Sequence, residues 1–112
     1  MHILFVCSAN KDRSKTAEIF LSMDYPQHTF SSAGTNQKVC MQLGTEFITH
    51  EMLDEADLIL VMEQKHFKFI KEKLGVAYAT KMKVLSINDV YAFGDAELKR
   101  TLVEKTEKYL II

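Results

Sequence analysis

The chain has 112 residues, 47% hydrophobic and 26% charged, with a formal net charge of −1. That length suits one buried core, so residues 1–112 are expected to form a single domain. The near-zero charge supplies no basic field for nucleic acid or an anionic membrane. Two cysteines and one proline make neither a disulfide framework nor a Pro-rich linker, so a reducing, cytoplasmic setting is expected.

Residues 3–6 are a continuous apolar run, as in a strand buried on both faces; the run is too short for a signal peptide or a membrane span. Residues 14–23 follow as a helix with Ala17, Phe20 and Leu21 on one face, broken at Asp24-Tyr25-Pro26. Residues 29–32 read as a weaker strand ending at Ala33-Gly34-Thr35. Residues 36–47 carry no clear pattern. A short helix over 49–55 would bury Met52, Leu53 and Ala56, and residues 58–62 are the strongest strand in the sequence.

A helix over 63–74 is expected next, with Phe67, Ile70 and Leu74 at helical spacing and Gly75 just past its end. Residues 84–87 are predicted as a fourth strand. Asp95 suits the N-cap of a last helix over 96–110, burying Leu98, Leu102 and Tyr109; residues 109–112 read as the tail of that docked helix. The alternation predicts an α/β three-layer sandwich, a four-stranded parallel sheet with helices on both faces. Ligands of such sheets bind outside the carboxyl ends of the strands. Cys7 stands at one of these ends, and Asp89 follows another.

The stretch Cys7-Ser8-Ala9-Asn10-Lys11-Asp12-Arg13-Ser14 joins strand to helix. Such a loop turns backbone N–H groups inward and adds the positive end of the helix dipole, a concavity suited to a tetrahedral oxyanion. Arg13 can add a planar, permanently charged fork for two phosphate oxygens. The same donors would stabilise a thiolate on Cys7, making it a nucleophile, with a hydroxyl from Ser14 in reach. The competing reading is that Cys7 packs as a small hydrophobe while Arg13 and Lys15 are solvated. Asp89 is a candidate proton donor or a mere turn cap, and Tyr91 a cleft wall or a packed aromatic. The histidines show no ligand spacing, so no metal is assigned. Lys65, Lys68, Lys71 and Lys73 read as a solvated helix face.

Residues 3–14, followed by Thr16-Ala17-Glu18, resemble the signature of the low-molecular-weight protein tyrosine phosphatases. Ser32-Ala33-Gly34-Thr35 is similar to that family's next landmark, and residues 57–62 to its central strand. Ile87-Asn88-Asp89-Val90-Tyr91 falls where the family carries its acid loop, usually Asp-Pro-Tyr. The resemblance covers nearly the whole chain and is best to the short bacterial members.

It implies a phosphotyrosine phosphatase without cofactor, working through a phosphocysteine. By it, Cys7 is the nucleophile, Arg13 the phosphate clamp, Ser14 the thiolate's partner and Asp89 the general acid. Asn10 would shape the loop from a left-handed backbone conformation. Ser8, Ala9, Asn10, Lys11, Asp12, Arg13 and Ser14 would surround the phosphate, with Tyr91 beside the substrate. The expected partners are a phosphotyrosine protein or a small aryl phosphate, with phosphate or sulfate as loop ligands; neither nucleic acid nor membrane is expected.

This sequence departs from the family in having Ala9 for a usual Gly, Lys15 for a usual Pro, and a carboxylate at Asp12. Pointing inward, Asp12 would repel a dianion; pointing outward, it could pair with Lys11 or Lys15. The alternatives are therefore a phospho-binding module whose catalysis Asp12 has spoiled, or a cysteine phosphoryl carrier. The carrier does not call for Arg13, and arsenate reduction would need cysteines beyond Cys40.

Overall fold

Strand β1, His2–Cys7, forms the centre of the computed structural model, which describes residues 1–111. Ile3, Phe5 and Cys7 point to one face of the sheet and Leu4 and Val6 to the other, all of them buried. A strand with no solvent face has no reason to alternate, hence the unbroken apolar run.

Three strands join it: β2 (Thr29–Gly34), β3 (Leu58–Val61) and β4 (Met82–Val84). All pairings are parallel and the order is β2-β1-β3-β4. The chain leaves β1 toward β2, then crosses back over it to β3. That reversal opens a crevice at the carboxyl ends of β1 and β3, where Val6 is in register with Val61.

Helix α1 (Arg13–Asp24) and helix α5 (Ala96–Leu110) cover the face of Phe5 and Cys7, contributing Ala17, Leu21, Leu98, Leu102 and Leu110. Helices α3 (His50–Glu55) and α4 (Gln64–Lys73) cover the other with Leu53 and Ile70. The expected α/β sandwich with helices on both faces is thus the observed fold. Tyr109 is only half-buried and Leu110 takes the core position; Ile112 lies outside the described residues. No helix among the described residues is long and apolar enough to cross a membrane.

Two segments differ from expectation. Residues 36–47 contain a helix, α2 (Gln37–Leu43), built from its ends: Asn36 accepts from the Val39 N–H, and Gly44 at φ 71 closes it. Strand β4 was expected over 84–87 but runs over Met82–Val84. The Leu85 and Ile87 N–H groups still reach the carbonyls of Val61 and Met62, at 2.8 Å each. Between them Ser86 adopts φ 58, a left-handed conformation that breaks the extended run. Lys105 Nζ holds the bend, 2.9 Å from the Leu85 carbonyl and 3.0 Å from that of Ser86.

Candidate active site

The loop from Cys7 to Arg13 is shaped from behind. Its carbonyls are drawn outward by the segment after β2. The Thr35 N–H reaches the Cys7 carbonyl at 3.0 Å, the Asn36 N–H reaches Ser8 at 3.0 Å, and Thr45 Oγ1 reaches Ala9 at 2.6 Å. The buried thiol of Cys40 aims at the last two of these carbonyls. Among the described residues the N–H groups of residues 8–13 find no protein acceptor. Peptide planes whose oxygens face out present their N–H groups inward, which makes an anion cradle.

Asn10 sits at φ 55, in the left-handed region that asparagine tolerates better than most residues. Its side chain is a buried hub: Nδ2 donates to Ser14 Oγ at 2.9 Å and to Ser32 Oγ at 2.8 Å, while Oδ1 accepts from the Glu46 N–H. Ser32 in turn donates to Glu18, which Lys15 neutralises at 3.2 Å. Ser14 Oγ stands 2.9 Å from Cys7 Sγ.

Arg13 is 1% exposed. Its Nη1 donates to Glu63 Oε2 and, at 2.8 Å, to the Ile87 carbonyl. Asp89 Oδ1 lies 3.6 Å from Nε, on a side chain that is 60% exposed. The segments after β3 and β4 thus bring Glu63 and Asp89 to one arginine. Burial alone would raise the Glu63 carboxyl, but the hydrogen bond and charge of Arg13, helped by Lys65 and His66, hold it below its ordinary value.

His66 joins from the first turn of α4. Its Nδ1 accepts from the Glu63 N–H at 3.0 Å, while the Glu63 side chain caps the helix in return. Nε2 therefore carries the proton and donates to Ser8 Oγ at 2.9 Å. Burial and the Arg13 charge lower His66 to about 4, against the opposing pull of Glu63, so the ring is neutral near pH 7. Neither Glu63 nor His66 was among the expected site residues. Their only local signal is Glu-x-x-His directly after the strongest strand.

Lys11 is exposed. Asp12 accepts from the Phe93 N–H at 3.0 Å and makes no ion pair with Lys11 or Lys15 among the described residues. Tyr91 is half-buried against the core cluster of α1 and α5. An open groove of about 500 Å³ leads away from Ser8 between Asn36, Gln37, Phe47, Lys65 and Phe69. Among the described residues no cluster of three potential metal ligands occurs.

No family model matches the chain. Over 89 residues it is 37% identical to the low molecular weight protein-tyrosine-phosphatase Ptp of Acinetobacter johnsonii, a match spanning 63% of this chain and 63% of that protein's length. Its fold is shared with Vibrio vulnificus Wzb in complex with benzylphosphonate, at 20% identity, a TM-score of 0.77 and coverage of 97% of this chain and 96% of that one. The chain thus resembles a low-molecular-weight protein-tyrosine-phosphatase over less than two thirds of either sequence. A structure of YwlE arginine phosphatase, a Cys-to-Ser mutant with a phosphorylated active-site serine, is 25% identical with a TM-score of 0.69, covering 96% of this chain and 90% of that one. The stretch 7–14 begins at the carboxyl end of β1, beside that of β3.

Proposed function

We propose that the chain is a protein-tyrosine-phosphatase, hydrolysing phosphotyrosine through a phosphocysteine. The observation that carries this reading is the convergence on one cradle of Cys7, hydrogen-bonded to Ser14, and Arg13, with Asp89 at 3.6 Å. The Cys7 thiolate attacks phosphorus in line, the S–P bond forms and the P–O bond to the phenol breaks. Arg13, whose Nη1 is held by Glu63 and Ile87, offers its Nε and Nη2 edge to two equatorial oxygens, and the amides of residues 8–13 serve the rest. Asp89 protonates the leaving phenolate oxygen. It then takes a proton from the water that cleaves S–P, releasing phosphate and restoring the thiolate. Ser8, Ala9, Asn10, Lys11, Asp12 and Ser14 supply the frame of that cradle, and Tyr91 flanks its acid. The two free thiols suit a reducing cytoplasm.

Turnover of an aryl phosphate by wild type, Cys7→Ser and Asp89→Asn tests the assignment. Cys7→Ser should abolish turnover and keep inorganic phosphate binding. Asp89→Asn should slow phenyl phosphate by about 100-fold or more. Binding of phosphotyrosine without hydrolysis by wild type would leave a phospho-binding module instead, and a long-lived phosphocysteine would mark a phosphoryl carrier. The similarity to an arginine phosphatase supports a second substrate, phosphoarginine. Peptides bearing phosphotyrosine, phosphoarginine and phosphoserine, compared by kcat/KM, separate these.

A further inference from the structure

Asp12 is the residue whose charge threatens the cradle, yet its carboxylate is used elsewhere. It occupies the N-cap of α1 without capping it, and Oδ1 instead accepts from the Phe93 N–H at 3.0 Å. Two further contacts lie on the same stripe of the helix, at i, i+4 intervals. Thr16 Oγ1, fully buried, accepts from the Gly94 N–H at 3.0 Å. The Phe20 ring meets Phe93 with centroids 6.0 Å apart, under the ammonium of Lys99 at 4.4 Å. Gly94, at φ 75, supplies the left-handed turn that sets these two N–H groups against the helix.

The segment so held carries Asp89. Tyr91 packs against the core cluster, but the stretch around the acid is exposed: Asn88, Asp89 and Val90 all face solvent, Val90 at 74%. The next residue after Asp12 is Arg13, whose own carbonyl partner is Ile87. Helix α1 therefore grips the acid loop from both sides of Asp89.

We propose that Asp12, with Thr16, is a positioning residue that docks the acid loop and so aims Asp89 at the leaving group. The proposal rests on the reading of Asp89 as general acid. It also accounts for a carboxylate inside a phosphate loop: the oxygen is committed to the Phe93 N–H. What the position needs is an acceptor at this distance rather than a charge.

The test compares Asp12→Ala, Asp12→Asn, Thr16→Val and Asp89→Asn on phenyl phosphate, whose leaving group needs a proton, and on 2,4-dinitrophenyl phosphate, whose leaving group does not. Asp12→Ala should lose about tenfold or more in kcat/KM on phenyl phosphate. Its loss on the dinitrophenyl ester should be several-fold smaller than on phenyl phosphate. Asp12→Asn, which keeps the acceptor, should recover most of the loss. Equal losses on both esters, no loss, or an Asn variant as impaired as Ala would overturn the proposal. If Asp89→Asn treats the two esters alike, the general-acid reading fails instead. Amide exchange at Phe93 and Gly94 then decides the docking by itself: faster exchange in Asp12→Ala upholds the clasp, and unchanged exchange removes it. The same exchange measurement on Thr16→Val covers the case in which Asp12→Ala does not fold.

Discussion

Asn10 Nδ2 donates to Ser14 Oγ across 2.9 Å, and this fixes the direction of the hydrogen bond between Ser14 and Cys7. An amide nitrogen can only donate, so it occupies a lone pair of the hydroxyl and leaves the hydroxyl hydrogen for the sulfur. Ser32, receiving the other Nδ2 hydrogen and donating to Glu18, keeps Asn10 from flipping. Toward a thiolate, Ser14 is then an oriented donor before any substrate arrives.

Ser14→Ala removes that donor while sparing the loop's carbonyl anchors. A charge-assisted hydrogen bond of this kind is worth about 1.5–3 kcal/mol, so kcat should fall by roughly 10- to 100-fold. Alkylation of Cys7 by iodoacetamide at fixed pH should slow in parallel. An alkylation rate equal to wild type would show that Ser14 contributes only packing.

Glu63→Gln tests the partner of the buried arginine. Arg13 keeps the Ile87 carbonyl and the neighbouring Asp89 but loses its nearest charge. Because Glu63 is partly solvated, the expected cost is about 1–2 kcal/mol, read as a lower urea midpoint. Inhibition by phosphate should change at the same time, since a less tethered guanidinium presents its fork less well. A lowered midpoint with unchanged phosphate inhibition would separate Glu63 from the site.

Acid should unfold the protein partly through His66. Its folded value of about 4 lies below the ordinary 6.5, so the unfolded chain binds the proton first. The stability this contributes is complete above about pH 6.5 and is lost as pH falls toward 4. It amounts to at most about 3 kcal/mol. Glu63, also held below its ordinary value, adds a loss in the same direction at still lower pH. Urea midpoints at pH 7, 5.5 and 4.5 should decline more steeply for wild type than for His66→Gln; parallel declines would mean that His66 titrates normally.

Gly34→Ala should damage the loop through contact alone. A Cβ there would stand 2.5 Å from the Ser8 carbonyl oxygen and 2.6 Å from Cys40 Sγ, and the first of these is backbone that cannot swing aside. A cost of about 1–3 kcal/mol is expected, with a larger fall in kcat than a surface variant of equal instability shows. Pairing it with Cys40→Ala should recover part of the stability, because one of the two clashing atoms is gone.

Cys7, Arg13 and Ser14 were legible because their relation is local: a strand end, a short loop and a helix start fix them together. Asn10's left-handed backbone and a general-acid role for Asp89 were expected from the family resemblance; Asn10 has φ 55, and Asp89 lies 3.6 Å from Arg13 Nε, a neighbour that the sequence did not name. The direction of Asp12 was not legible, since its partner is the Phe93 N–H, brought near only by the packing of the loop after Asp89. Glu63 and His66 were hidden for the same reason, because their meaning lies in Arg13 and Ser8 across the sheet. Ser86 misled the strand assignment, for a non-glycine residue at positive φ carries no local mark. Helix α2 was silent because it has caps but buries only Cys40.

The immobility of Arg13 bears on the thermodynamics of anion capture. An arginine on a free surface surrenders roughly 2 kcal/mol of rotamer entropy when it grips a ligand. Here Nη1 is fixed by Glu63 and Ile87, and the side chain is 2% exposed. Most of that ordering takes place when the sheet assembles, before phosphate is met. Calorimetry of oxyanion binding should accordingly find a smaller entropic penalty than a flexible arginine site would show, with the affinity set by solvent displaced from the bowl and by the fork's fixed aim.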